Sequence, residues 1–203
     1  MYLTRLRLDP RSAQARRDLA DPYEMHRTLV RAFVHNDEQA PPRFLWRGEP
    51  TSPWSEPVVL VQSEEAGQWS VLEAFPNYLK KAAETLQWQP ESNLRIGERF
   101  RFRLFANPTV TRNGKRLGLA AEDAQLAWLE RQGTRQGFSV EAALVTGSEL
   151  LRSRKGESRI SLLRVCFEGR LIVDDVDMLA RAVKAGIGPG KAFGCGLLSL
   201  GRG

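Results

Sequence analysis

Tyr23 and His26, three residues apart in D-P-Y-E-M-H-R-T-L at residues 21–29, are the side chains of this sequence best suited to moving a proton. At that spacing they neighbour each other on one face of a helix, within its first two turns. An imidazole titrates near neutrality and serves as general base or acid, and a phenol holds or orients a reacting hydroxyl. Internal cleavage of RNA needs little more than these. The ribose 2′-hydroxyl attacks its own phosphorus once a base takes its proton and donors steady the oxygens, with no metal required. The same spacing also suits a bland reading, in which His26 belongs to the apolar stripe of Leu29, Val30 and Phe33 and is hydrogen-bonded and inert. His35, beside Asn36, reads as a surface residue.

A second candidate lies in G-I-G-P-G-K-A-F-G-C-G-L-L-S-L at residues 186–200. A run holding Gly186, Gly188, Gly190, Gly194 and Gly196 permits left-handed backbone and close approach, so its N–H groups can cradle a phosphate while Lys191 adds charge. It joins a helix to a strand, which separates it from the Walker loop and the dinucleotide fingerprint. The competing reading is a helix C-cap at Gly186 followed by a tight loop. Basic residues gather at Arg99, Arg101 and Arg103, at Arg112, Lys115 and Arg116, and at Arg152, Arg154, Lys155 and Arg159. Grooves lined in this way bind phosphate backbones, although any one cluster also suits a solvated face. The acidic run Asp174, Asp175 and Asp177 sits where a helix begins, so capping explains it better than a metal.

The elements that must carry these groups have readable signals. Tyr2–Leu8 alternates Leu6 and Leu8 against Arg5 and Arg7, as a half-buried strand does. After a loop, Asp21 fits an N-cap, Pro22 the first helical position and Glu24 the third, where its carboxylate can close a capping box. The helix should end before Asn36. Strands are expected at 43–47 and 58–62, then a loop with one short helix and the join between halves over 64–97. Arg99–Leu104 is the clearest strand, with three guanidinium groups opposite Phe100, Phe102 and Leu104. A helix over 121–131, strands over 138–144 and 160–169, and a basic hairpin or mobile loop over 152–159 follow. A third helix is capped by Asp174, with Asp177 three residues on and Val176, Leu179, Ala180 and Val183 inward, and 193–200 closes as a strand. Each half thus reads as a ferredoxin-like unit in an α+β fold, residues 1–92 and 93–203. In that unit the third and fourth strands flank the first, which keeps Cys166 and Cys195 apart.

Composition bounds the rest. A chain of 203 residues with 42% apolar content can bury one large core or two smaller ones. A net charge of +6 favours a polyanionic partner, nucleic acid before acidic membrane. Two cysteines without C-x-x-C spacing support neither a disulfide framework nor a thiolate zinc site, and no cofactor is implied. No apolar run has the length of a membrane span and the N-terminus lacks the form of a secretion signal, so a cytoplasmic protein is expected.

Motifs over most of the length carry a resemblance: M-Y-L-T-R-L at the start, Y-E-M-H-R-T-L, F-R-F-R-L-F-A-N-P at 100–108, N-G-K-R at 113–116, A-W-L-E-R at 127–131, V-C-F-E-G-R-L at 165–171, and the glycine-rich stretch. The chain resembles the CasE family, the repeat-RNA endoribonucleases of type I-E CRISPR systems. The resemblance implies two tandem ferredoxin-like domains and a metal-independent enzyme that cuts precursor CRISPR RNA at the base of the repeat hairpin. It implies 5′-hydroxyl and 2′,3′-cyclic phosphate ends, retention of the guide, and entry into the Cascade complex with its other subunits. It carries the catalytic roles onto Tyr23 and His26, and makes Arg159 the first candidate for holding the scissile phosphate, with Lys155 as the other. Phe105 stands where a basic residue is expected of relatives. RNA contacts are expected at Arg27, Arg99, Arg101, Arg103, Lys115, Arg116, Arg152, Arg154, Lys155, Gly188, Gly190 and Lys191, on a protein monomeric outside the complex. The alternatives are a noncatalytic RNA-binding subunit, stacking bases on sheet phenylalanines, and a structural subunit with Tyr23 and His26 buried.

Overall fold

A computed structural model of the chain describes residues 1–34, 40–50, 55–155 and 158–202, with the backbone alone at residues 154, 155, 158 and 159. His35 lies outside the described residues. The chain forms two units, one of Met1–Trp88 with Ser153–Arg159 and Ala192–Gly194, the other of Gln89–Arg152, Ile160–Lys191 and Cys195–Gly203. Each unit holds one four-stranded antiparallel sheet of ferredoxin-like order.

In the first unit β1 (Tyr2–Arg7), α1 (Ala13–Ala20), α2 (Pro22–Val30), β2 (Phe44–Gly48), β3 (Val58–Ser63) and β4 (Glu84–Gln87) follow in sequence, and the sheet runs β2-β3-β1-β4. Leu6 and Leu8 are fully buried and Arg5 is exposed, as the alternation requires. Met25 and Leu29 of α2 pack with Phe33, Phe44, Trp46, Val59, Val61, Trp69 and Leu72 into one core. A helix of nine residues is marginal in water, so this packing, at about 1.5–3 kcal/mol for each large apolar side chain, is what holds α2.

Helix α1 occupies a stretch that the sequence reads as loop. Its buried positions are Ala15 and Asp18, so no stripe of large apolar residues announces it. Asp18 is held instead by hydrogen bonds from Tyr78 Oη at 2.7 Å and Gln14 Nε2 at 2.7 Å, and its burial pushes its carboxyl above the usual carboxylate range. Between 64 and 97 the chain forms a 3₁₀ turn at Trp69–Ala74, strand β4 and a second 3₁₀ turn at Pro90–Asn93. The first turn takes the place of the second helix of the unit, burying Trp69 and Leu72. All four residues of β4 are exposed, so the strand has no alternation to read.

The second unit holds β5 (Arg99–Ala106), β6 (Thr109–Arg112), β7 (Lys115–Gly118), α3 (Glu122–Gln136), β8 (Phe138–Lys155), β9 (Ser158–Val173), α4 (Val176–Ala185) and β10 (Leu198–Gly201), with sheet order β10-β5-β9-β8. The third and fourth strands flank the first in both sheets, and Cys166 and Cys195 are free and buried. Phe100, Phe102 and Leu104 face the core while Arg99 and Arg101 are exposed.

Four expectations need correction here. Helix α3 runs past residue 131 to Gln136, where Gly137 at φ 80° stops it in the left-handed region. Strands β8 and β9 run well past the expected 138–144 and 160–169, with strand backbone to Lys155 and again from Ser158, so the basic stretch is strand rather than mobile loop as far as it is described. The cap of α4 is Asp175, accepting from Met178 N–H at 2.8 Å, while Asp174 accepts from Ser139 Oγ. The closing strand begins at Leu198, because Lys191–Phe193 forms a 3₁₀ turn. Strands β6 and β7, read in the sequence only as a basic cluster, form a hairpin whose turn residues Asn113 and Gly114 have φ 49° and 72°.

Candidate active site

The start of α2 is built as its sequence dictates. Asp21 lies in extended backbone and accepts from Tyr23 N–H at 2.9 Å, and Pro22 supplies the first turn. The capping box does not form. Arg17 and Arg27 hold the Glu24 carboxylate at 2.8 and 3.0 Å instead, since two guanidinium groups outcompete a backbone amide.

Tyr23 and His26 are both half-buried, so neither is sealed in the interior. The His26 ring stacks on Phe44 with centroids 5.0 Å apart, and Phe44 stacks in turn on Phe33 at 4.9 Å. Nδ1 of His26 is buried without a hydrogen-bond partner among the described residues, which leaves Nε2 as the nitrogen able to exchange a proton. Burial pulls the imidazole below its ordinary value of 6.5, so at neutral pH it is an uncharged base. Arg27 lies 6.0 Å from the centre of the Tyr23 ring and remains 58% exposed despite its ion pair, so it can exchange Glu24 for a phosphate.

Residues 153–159, where the sequence places the phosphate-holding cation, belong to the same unit as α2. Ser153 is buried and its hydroxyl donates to Asp21 at 2.8 Å. The side chains of Arg154, Lys155 and Arg159 lie outside the described residues. Arg152 is exposed and belongs to the second unit, as do Lys191, Gly188 and Gly190.

The arginine stripe of β5 is less cationic than its sequence. Arg99 pairs with Glu141 at 2.8 Å and Arg103 with Glu168 at 2.5 Å. Arg101 has no partner among the described residues and stands directly across from Arg170 of β9, which is also exposed and unpaired. Like charges in that register repel, so an anion would be welcome there. Arg170 went unread because it lies on a strand recognised by its apolar residues. Lys115 and Arg116 are exposed on β7, and Lys115 faces Arg112 across the hairpin.

The glycine-rich loop divides its amides. Those of Ile187, Cys195 and Gly196 are committed to Gly196, Gly190 and Phe105 carbonyls. Those of Gly188 and Gly190 make no hydrogen bond among the described residues, and both glycines have left-handed φ, 77° and 87°. A Cβ at Gly188 would come within 3.0 Å of the Trp128 ring, so packing as well as backbone demands glycine there. Burial pushes the Cys195 thiol up to about 12. No group of three metal-binding side chains occurs among the described residues, and no helix among them is long and apolar enough to cross a membrane.

Comparisons with known proteins agree on family and fold. The family described as CRISPR associated protein matches residues 1–202. The CRISPR-associated endoribonuclease Cse3 of Thermus thermophilus is 41% identical over 215 residues, covering 98% of this chain and 99% of that protein. The CRISPR system Cascade subunit CasE of Escherichia coli is 33% identical, over 89% of this chain and 92% of that one. A structure of Thermus thermophilus Cse3 bound to an RNA representing a pre-cleavage complex superposes with TM-score 0.88 at 38% identity, covering 99% of this chain and 98% of that one.

Proposed function

Since this chain belongs to the CasE (Cse3) family of CRISPR-associated proteins, we propose that it is an endoribonuclease that cuts precursor CRISPR RNA at the base of the repeat hairpin without a metal ion. His26 Nε2, uncharged at neutral pH, takes the proton of the ribose 2′-hydroxyl, and the imidazolium so formed returns it to the leaving 5′-oxygen. The 2′-oxygen bonds to phosphorus as the bond to the 5′-oxygen breaks, leaving a 2′,3′-cyclic phosphate and a 5′-hydroxyl. Tyr23 orients the reacting oxygens. Arg159 or Lys155 offsets the charge of the phosphorane, and Arg27 and Lys191 hold adjacent phosphates. Arg101, Lys115, Arg116, Arg152, Arg154 and the Gly188 and Gly190 amides bind the rest of the hairpin, and Arg99 and Arg103 contribute by exchanging their carboxylate partners. Residues 1–92 supply the proton-transfer groups and 93–203 most of the charge. The protein acts in the cytoplasm, is monomeric alone, and keeps the product guide as it joins other Cascade subunits.

The observation that carries this reading is a half-buried His26, braced by Phe44, in the unit that also receives residues 153–159. A noncatalytic platform stacking bases on Phe100 and Phe102 is disfavoured, because those rings are 5% and 4% exposed. His26→Ala should lower single-turnover cleavage of a repeat hairpin by about 10² to 10⁴-fold with RNA affinity near normal. Cleavage that survives this change, stops in EDTA, or leaves 5′-phosphate ends would refute the mechanism.

A further inference from the structure

We infer that Asp21 and Ser153 are positioning residues for the cleavage reaction, one carboxylate oxygen fixing both the start of the helix that bears Tyr23 and His26 and the end of β8 at Ser153. This rests on the cleavage reading above. Asp21 Oδ1 accepts twice, from Tyr23 N–H at 2.9 Å and from the Ser153 hydroxyl at 2.8 Å, the second bond joining residues 132 apart in sequence. Neither half of the arrangement requires the other. An N-cap is satisfied within its own helix, and Ser, Thr or Asn would serve as well as Asp. The far end of an edge strand such as β8 is ordinarily solvated. Ser153 is nevertheless only 7% exposed, next to an exposed Arg152, and gives its hydroxyl to a carboxylate at the start of α2.

The placement gives the bond its consequence. Ser153 immediately precedes Arg154 and Lys155, and Asp21 lies two residues before Tyr23 and five before His26. A shared oxygen therefore joins the helix of the proton-transfer pair to the start of the cationic segment. In-line attack on phosphorus tolerates little error, since a displacement of about 1 Å can cost on the order of 10²-fold in rate. An aspartate cap has the charge to hold a hydroxyl from elsewhere while still serving its own helix.

Ser153→Ala tests this, because it leaves the cap of α2 intact. Single-turnover cleavage at saturating repeat RNA should fall about tenfold, the Kd for RNA should stay within about twofold, and Ser153→Thr, which keeps the hydroxyl, should restore the rate. The acid limb of the pH–rate profile should stay in place, because the latch does not titrate with His26. Limited trypsin digestion of the RNA-free protein, read at Arg154, Lys155 and Arg159, should nick the Ala variant several-fold faster than wild type or the Thr variant. That measurement needs no cleavage activity, so it judges the latch even if the wild-type chain fails to cut repeat RNA. Equal losses in the Ala and Thr variants, unchanged nicking, or faster nicking with an unchanged cleavage rate would each overturn the inference.

Discussion

The two ferredoxin-like units share a strand order and little else. The first has a four-residue exposed edge strand and a 3₁₀ turn in place of its second helix, and it puts its distinctive side chains on α2 against an aromatic stack. The second has two full helices, the greater part of two strands of 18 and 16 residues, and exposed cations on β5, β7 and β9. Under the proposed mechanism, one topology serves two different duties. Proton transfer needs a group of tuned basicity held still, which an apolar backing supplies, whereas phosphate binding needs charge that remains in water.

Substitutions can break this contrast or sharpen it. The largest effect should come from Phe44→Ala, which removes the ring behind His26 and opens the core of the first unit. Stability should drop by about 3–5 kcal/mol in equilibrium denaturation, and cleavage by the folded fraction should fall too. Phe167→Ala in the second unit should cost about as much stability yet spare cleavage by whatever remains folded, because no proton-transfer group leans on that ring. If both variants lose cleavage alike, the division of labour is wrong.

A smaller effect should appear in pH dependence. His26 has its pKa depressed on folding, so its contribution to stability is present above the unfolded value of about 6.5 and is lost as pH falls through the folded value. The acid limb of kcat/KM should accordingly lie below pH 6.5 and vanish in His26→Ala. Weaker again, Arg101→Ala with Arg170→Ala should reduce the slope of log Kd against log salt by about one or two, leaving the saturated cleavage rate alone. Arg99→Gln should do least, since its exposed pair with Glu141 is worth about 0–1 kcal/mol and its charge is already answered.

How much of this the sequence disclosed depends on what kind of signal each element carries. Helix α2 was legible because Asp21, Pro22 and an apolar stripe agree on one start, and β5 because its burial alternates residue by residue. Helix α1 and strand β4 were not, because α1 turns Ala15 and a carboxylate inward and β4 buries nothing. The length of β8 was hidden because Thr146–Leu150 are all exposed and show no alternation, and that of β9 because Leu162, Leu163 and Arg164 are all half-buried. At the site, spacing alone could not separate a working His26 from a stacked structural one, and the catalytic role proposed for it rests on family resemblance. Neutralisation of Arg99 and Arg103 was beyond sequence reading, since their carboxylates lie 42 and 65 residues away. The bond from Ser153 to Asp21 was invisible for the same reason.

The two cysteines make the folded chain a poor target for alkylation and a good clock for its opening. Cys166 is 8% exposed and Cys195 fully enclosed, and with a thiol held near 12 the latter offers almost no nucleophilic thiolate at neutral pH. Maleimide uptake at Cys195 should therefore track excursions of the second unit out of its native state, and a bound guide should slow that uptake in proportion to how tightly it is held.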